Sequence, residues 1–284
     1  MWSSWYLRKN ENVRPSVIEH AGMRWEVLPG GAEIVRSRPD WAFATLCKEF
    51  SSAEIRKKRD ERFVFRIETP SQDVIVKSQV SIGYKPLARS IYNRSKGRKE
   101  WQNLLVAFDR GFPVARPIAF GELKRFMTVR ESVVISEWLA NTSTVRSWRR
   151  QRLEDGEDDA TLGLAAELGR LTARMQRIGV YHNELHDRNV LVEDTEEGPR
   201  MVIIDWKHAR DKRRSTRNDL RNLLRTGSYY ARQAPGGPAT DTEKRAFLNA
   251  YLEERADRPD RDKVVRRLRE RCPDAAWIDQ EFDV

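Results

Sequence analysis

The chain has 284 residues, 39% of them hydrophobic and 34% charged, with a formal net charge of +10. That length allows one large domain or two lobes with a real core, and no run approaches the ~20 apolar residues of a membrane span. Two cysteines, Cys47 and Cys272, stand far apart without a CxxC spacing, which excludes a disulfide framework and a zinc ribbon and suits a reducing compartment. The positive balance favours an anionic partner, whether nucleic acid, an acidic membrane surface or a phosphorylated substrate; a plain solvated basic surface would look the same.

The opening, MWSSWYLRKNENVRP, has no apolar core of signal-peptide length, so any membrane contact is expected to be peripheral. Residues 1–45 carry Trp2, Trp5, Tyr6, Trp25 and Trp41 around a Pro29-Gly30-Gly31 turn. Within them, residues 24–28 and Glu33-Ile34-Val35 are expected as short strands. From Thr45 the pattern turns to strands: residues 63–67 and 73–77, joined by the turn Thr69-Pro70-Ser71-Gln72. Lys77 closes the second strand, where an ammonium can meet phosphate oxygens or reach solvent. The preceding segment, FSSAEIRKKRDER, contains no glycine, and no G-x-G-x-x-G occurs anywhere. If it covers a phosphate, backbone N–H groups, Ser51 or Ser52 must serve.

A basic stretch follows, with Lys85, Arg89, Arg94, Lys96, Arg98 and Lys99. It runs into a helix marked by Trp101, Leu104, Leu105 and Phe108 at i, i+3, i+4 and i+7, ended by Gly111 and Pro113. Glu100 lies on the Leu104 side of that helix. Residues 114–121 and 133–139 read as two more strands, residues 151–159 as a charged loop, and residues 161–178 as a helix ending at Gly179. Beyond Arg210 the basic run DKRRSTRNDLRNLLR opens a helix near Asp219. A Pro-Gly linker at 234–238, a helix over 242–255, a short basic helix over 262–271 and an acidic tail complete the chain.

The most informative stretch is YHNELHDRNVLVEDTEEGPRMVIIDWKHAR, residues 181–210. Two β-branched runs, 189–192 and 201–204, flank an acidic link with a Gly-Pro pair and read as a hairpin. A polar loop precedes the first run and Asp205 ends the second. This layout is expected to bring Glu184, Asn189 and Asp205 near one point. An amide oxygen with carboxylates is hard-oxygen ligation of the kind that shares Mg²⁺ with phosphates. A loop acid for an acceptor hydroxyl, a loop Asn and a strand-end Asp are the parts of kinase-type phosphoryl transfer. Two other readings stay open: His182 and His186, spaced i, i+4, could bind zinc with His208 or Glu184, or the loop could be structural.

His182-x-Glu184-Leu185-His186-x-x-Asn189 followed by Ile204-Asp205 resembles the catalytic and metal loops of protein-kinase-like small-molecule kinases. Among these it is most similar to the bacterial lipopolysaccharide core kinases that phosphorylate Kdo or heptose. The resemblance covers about residues 60–225 and implies an α+β, two-lobed protein-kinase-like fold, with a mostly antiparallel N-lobe sheet and a helical C-lobe. Residues 1–45 would be an extension packing on the N-lobe, 46–138 the N-lobe, and 139–284 the C-lobe with the catalytic and metal loops.

The resemblance also implies roles. Glu184 would orient or deprotonate the acceptor hydroxyl, and Asn189 and Asp205 would hold Mg²⁺. Lys77, held by an ion pair with Glu100, would neutralise phosphate charge. Backbone groups from Glu137 to Leu139 would meet the adenine of ATP, and Asp219 would brace the catalytic loop. The acceptor would be a lipid-linked core sugar at an anionic inner-membrane surface, with the protein cytoplasmic and peripheral to that membrane and no nucleic acid expected. Two departures stand out. Glu184 occupies a position where the family usually has Asp, and the Gly of Asp-Phe-Gly is absent, Asp205 being followed by Trp206-Lys207. They leave an alternative: a catalytically impaired kinase-like protein that binds nucleotide or an envelope partner.

Overall fold

A computed structural model describes residues 14–49, 55–59, 62–80, 95–125, 128–196, 198–211, 216–233, 239–255 and 261–271. The chain divides into two compact units, Met1–Ala140 with Asp205–Lys207, and Asn141–Ile204 with His208–Val284.

The first unit is built on a seven-stranded sheet: β1 (Ser16–His20), β2 (Met23–Val27), β3 (Ile55–Arg59), β4 (Arg62–Glu68), β5 (Asp73–Val80), β6 (Pro117–Arg125) and β7 (Thr128–Glu137), in the order β1-β2-β6-β7-β5-β4-β3. Every pairing is antiparallel. Period-two alternation assigns the side chains to two faces. Phe63, Phe65, Val74, Val76, Val133 and Ile135 share one core with Trp25, Ile34, Val35, Trp41 and Leu46. The last four of these come from α1 (Gly31–Arg36), α2 (Phe43–Glu49) and the link between them. Trp25 and Trp41 are fully buried, 6.3 Å apart edge to face. At about 25 cal/mol per Å², each such ring gives roughly 4–6 kcal/mol of burial before entropy is counted. The Glu33–Val35 strand expected from sequence is thus a helical turn. Gly30, at φ 80°, starts it, and three apolar residues cannot by themselves distinguish the two periods.

On the other face α3 (Lys96–Asp109) places Trp101 with Leu28, Phe120 and Val134. Ser95 caps it, its hydroxyl accepting from the Arg98 N–H at 3.0 Å. Arg98, one of the basic cluster noted in the sequence, pairs with Glu26 and, at 2.8 Å, with Glu122, while the Trp101 indole donates to Glu26 at 2.9 Å. This arginine pins the helix to the sheet. Lys85, Arg89 and Arg94 lie outside the described residues, as do Phe50, Ser51 and Ser52 of the glycine-free segment.

The second unit contains α4 (Val145–Glu154), α5 (Asp158–Arg177), α6 (Thr216–Gln233), α7 (Asp241–Glu253) and α8 (Arg261–Arg271). Two small sheets complete it: β8 (Thr142–Thr144) beside β10 (Val190–Thr195) and β11 (Gly198–Ile203), and β9 (Val180–His182) beside β12 (Ala209–Asp211). Residues 151–154, expected as loop, belong to α4, which the Thr144 hydroxyl caps and which gives way at Gly156, φ 75°. The β10–β11 hairpin is longer than its apolar runs because its outer half is polar, with Glu193 opposite Arg200 and ion-paired to it at 2.5 Å. α5 and α7 approach so closely that a Cβ on Gly169 would fall 2.1 Å from the Phe247 carbonyl oxygen. Arg149 on α4 reaches Glu243 on α7 with two hydrogen bonds of 2.7 and 2.9 Å, both side chains 2% exposed. Among the described residues no helix is long and apolar enough to cross a membrane.

Candidate active site

Antiparallel pairing of β5 with β4 and β7 fixes the direction of each β5 side chain. Val74 and Val76 enter the tryptophan-rich core, so Lys77 points to the α3 face. There its Nζ lies 2.5 Å from Oε1 of Glu100, one helical turn before Leu104. Burial by itself would lower the lysine pKa, but the charges of Glu100 and then Asp205 more than offset this and hold it above 10.5. The ammonium is therefore charged throughout the neutral range, while 26% of the side chain stays exposed.

Asp205 joins the same unit. It follows the last apolar residue after β11 and takes a left-handed backbone conformation, φ 62°. A non-glycine residue there is strained by about 1–3 kcal/mol and needs neighbours that hold it. Trp206 supplies them: its side chain is buried, set edge-on to Phe112 at 6.1 Å, and its carbonyl accepts from Asn103 Nδ2 of α3 at 2.9 Å. Lys207 Nζ then lies 2.6 Å from Asp205 Oδ2. Lys77, Glu100 and Asp205, singled out from the sequence, thus fall in one cluster. Asn103 and Lys207 were not foreseen. Asn103 sits three residues after Glu100 on the same helix, a spacing that would have marked it.

In the second unit, β9 leads into the loop 183–189. The loop is a set of tight turns: the Glu184 carbonyl accepts from His186 N–H at 2.9 Å and from Asn189 Nδ2 at 2.9 Å, and the His186 carbonyl accepts from Asn189 N–H at 2.8 Å. The Asn189 carbonyl in turn accepts from Ile204 N–H at 2.9 Å, tying the loop to the residue just before Asp205. Asp187 is buried and bonded by Arg146 Nε at 2.7 Å, and the Arg188 N–H donates to His186 Nδ1 at 3.3 Å.

Beneath the loop lies a buried polar network. Asn222 Nδ2 donates to the His182 carbonyl at 3.0 Å, and Tyr181 Oη donates to Asp219 Oδ1 at 2.7 Å. Arg255 donates to Asp219 Oδ2 at 3.0 Å, and Gln176 Nε2 donates to the Asp219 carbonyl and to Asn222 Oδ1. The bracing foreseen for Asp219 is therefore shared: Asp219 holds the Tyr181 hydroxyl, and Asn222 holds the backbone of His182, the last residue of β9 before the loop. Asn222 was not singled out from the sequence; its place three positions after Asp219, beside Leu223, is the signal that would have marked it. Arg255, 36 residues from Asp219 in sequence, had no such signal.

Histidines at 182 and 186 lie on a strand and in a turn, so the i, i+4 helical geometry of a zinc pair does not arise. Among the described residues no group of three His, Cys, Asp or Glu side chains is placed to hold a metal. The donor set instead fits Mg²⁺, which is held by one or two protein oxygens with phosphate and water completing the shell. The Asn189 Nδ2 is committed to the Glu184 carbonyl, which leaves Oδ1 as the branch that could take a cation. At the strand end expected to meet adenine, the Glu137 N–H donates to the Arg116 carbonyl and the Trp138 N–H to the Asp73 carbonyl. The Glu137 carboxylate accepts from the Arg116 N–H at 2.7 Å, a structural bond. The basic residues 212–214 lie outside the described residues.

Known proteins resemble this chain over much of its length. The 3-deoxy-D-manno-octulosonic acid kinase of Vibrio parahaemolyticus serotype O3:K6 (strain RIMD 2210633) is 26% identical over 137 residues, covering 48% of this chain and 53% of the relative. The chain thus spans about half the length of that curated relative. The solved structure of WaaP in complex with acyl carrier protein superposes with a TM-score of 0.55 at 19% identity, covering 78% of this chain and 88% of that one. That likeness establishes the kinase-like α+β fold. A profile of the lipopolysaccharide kinase (Kdo/WaaP) family matches residues 62–251, from β4 through α7, and the chain belongs to that family.

Proposed function

We propose that the protein is an ATP- and Mg²⁺-dependent kinase that transfers a phosphoryl group to a hydroxyl of a lipopolysaccharide inner-core sugar, Kdo or heptose. The observation that carries this reading is the grouping of Lys77, Glu100 and Asp205 in a chain of this family. Lys77, kept cationic by Glu100 and Asp205, binds phosphate oxygens and stabilises charge on the transferring group. Asp205 and Asn189 would hold Mg²⁺, and the ion would supply neutralisation of phosphate charge. Glu184 orients the acceptor hydroxyl and takes its proton as the new oxygen–phosphorus bond forms and the bond to the departing ADP oxygen breaks. Backbone groups of the segment from Glu137 to Leu139 would meet the adenine. His182 and His186 position the loop.

The net charge of +10 supports action at an anionic surface, and the reading takes this to be the inner membrane, with a lipid-linked acceptor met from the cytoplasmic side. Acyl carrier protein, the partner in the solved WaaP structure, is a candidate partner for this chain, and co-elution of the two purified proteins tests it.

The deciding experiment is ATP turnover with purified core lipid. Wild type should phosphorylate it, and Asp205→Ala should lower kcat by at least about 10³-fold. Equal activity of the two proteins would end the assignment. Glu184 in the place of the usual Asp favours a second reading, a nucleotide-binding protein without catalysis. It predicts stabilisation by ATP–Mg²⁺ with no transfer, and Glu184→Asp would then restore turnover.

A further inference from the structure

Lys207 occupies an unusual place. It stands two residues after Asp205, at the position where the resembled motif carries a glycine with no side chain. Its ammonium is 2.6 Å from Asp205 Oδ2, and its side chain is 16% exposed. The contact is a charge-assisted hydrogen bond from the tight 3₁₀ segment Trp206–His208 back to the residue preceding it, and the segment's backbone is fixed through the buried Trp206 and its bond from Asn103. Lys77 approaches the same carboxylate closely enough that Asp205 raises its pKa. Asp205 thus holds the Lys207 ammonium directly and lies within the field of Lys77, which is itself ion-paired with Glu100.

The charges of Lys77, Lys207, Glu100 and Asp205 cancel, and Arg62, whose charge also reaches Lys77, adds a further positive one. A bare divalent cation arriving at Asp205 would find no net attraction from this cluster and would have to displace an ammonium already in hydrogen-bond contact. A polyphosphate changes the balance, because its oxygens are a better destination for both lysines. Lys207 is attached by a flexible four-carbon stem and can swing from the carboxylate to a phosphate oxygen without backbone movement. A glycine at this position could do neither.

We propose that Lys207 is a resident counter-cation on the metal-binding carboxylate, which keeps divalent ions off Asp205 until a nucleoside triphosphate is present and then transfers to its phosphates. The protein would thus take its metal together with the nucleotide rather than before it. This inference rests on the reading of Asp205 as a metal ligand given above.

The test is binding, not turnover. Mn²⁺ is titrated into the full chain without nucleotide, and the free-ion signal is followed by electron paramagnetic resonance for wild type, Lys207→Met, Lys207→Arg and Asp205→Asn. Lys207→Met should bind Mn²⁺ about tenfold more tightly than wild type, the scale of one hydrogen bond between charged groups. Lys207→Arg, which keeps the cation, should stay within about twofold of wild type. In the presence of ATP the order should reverse, Lys207→Met holding the nucleotide several-fold more weakly. Equal Mn²⁺ affinity in wild type and Lys207→Met would overturn the proposal while leaving Asp205 a ligand. Mn²⁺ binding by Lys207→Met that the further change Asp205→Asn fails to weaken would instead overturn the reading of Asp205. A melting temperature within a few degrees of wild type for each variant separates both outcomes from unfolding.

Discussion

In the sheet-bearing unit the charged groups of the site keep contact with water: the side chains of Lys77, Glu100, Asp205 and Lys207 are 26%, 12%, 20% and 16% exposed. In the helical unit two ion pairs are sealed: Arg255 and Asp219, which underlie the loop, are each 1% exposed, and Arg149 and Glu243, farther along the chain from it, each 2%. The first set can exchange partners, as groups that meet a ligand must. The second cannot exchange without leaving a buried charge uncompensated, which makes it suited to fixing a backbone. Among these four pairs, burial thus separates groups that can change partners from groups that hold.

The sharpest way to break that division is to cut the sealed pair far from the loop. Arg149→Met strands the Glu243 carboxylate and should cost about 3–5 kcal/mol of stability, measured by urea or thermal unfolding. Burial would raise the Glu243 pKa, but the Arg149 hydrogen bond and the Thr240 N–H more than reverse this and hold it below 4.5. A carboxylate depressed on folding contributes stability above its unfolded pKa and loses it as pH falls through the folded one. The wild-type protein should therefore weaken in acid through this group, and Arg149→Met should show much less of that dependence. If Arg149→Met unfolds no more easily than wild type, the sealed pair is not a support.

A smaller effect is expected nearer the loop. Tyr181→Phe removes the donor to Asp219 Oδ1 and should destabilise by about 1–3 kcal/mol. If the network positions the loop, kcat should fall while KM for ATP holds, since the nucleotide's phosphate contacts are assigned to the other unit. A fall in stability with kcat unchanged would make the network structural only.

The smallest effect lies in the sheet unit. Glu131 is buried, accepting from the Phe43 N–H at 2.5 Å and from the Ser78 hydroxyl at 3.0 Å. Burial pushes its pKa up despite those two bonds. The folded chain therefore takes up this proton at higher pH than the unfolded chain, so stability through Glu131 rises as pH falls, opposite in sign to Glu243. Glu131→Gln should change stability by under about 1 kcal/mol at neutral pH, toward stabilisation, and remove that component of the acid response. A loss larger than Arg149→Met would invert the comparison.

The sequence made some of this plain and hid the rest for physical reasons. Strands β4, β5, β7 and β10 announce themselves by β-branched and aromatic residues, and Lys77 and Asp205 by closing or following such runs. Glu100 was legible from its place on the periodic face of α3. The helical turn α1 was not, because Ile34 and Val35 fill a core in either conformation and only the Gly30 backbone decides between them. Lys207 was visible as a departure from a glycine, but nothing local showed that its amine would turn back onto Asp205. Arg255 needed the tertiary fold, since a charged residue at a helix end normally belongs to solvent.

The covering of the outer sheet face by Trp25, Trp41 and the two short helices has a consequence for how the chain can be handled and how it can diverge. A shortened version starting near residue 46 would present Phe63, Phe65, Val74, Val76, Val133 and Ile135 as one continuous greasy wall. Exposed patches of that kind stick to one another and to chaperones. Residues 23–46 therefore cannot be trimmed or swapped as an optional appendage, and drift at Trp25 and Trp41 should be matched by drift in the strands they cover.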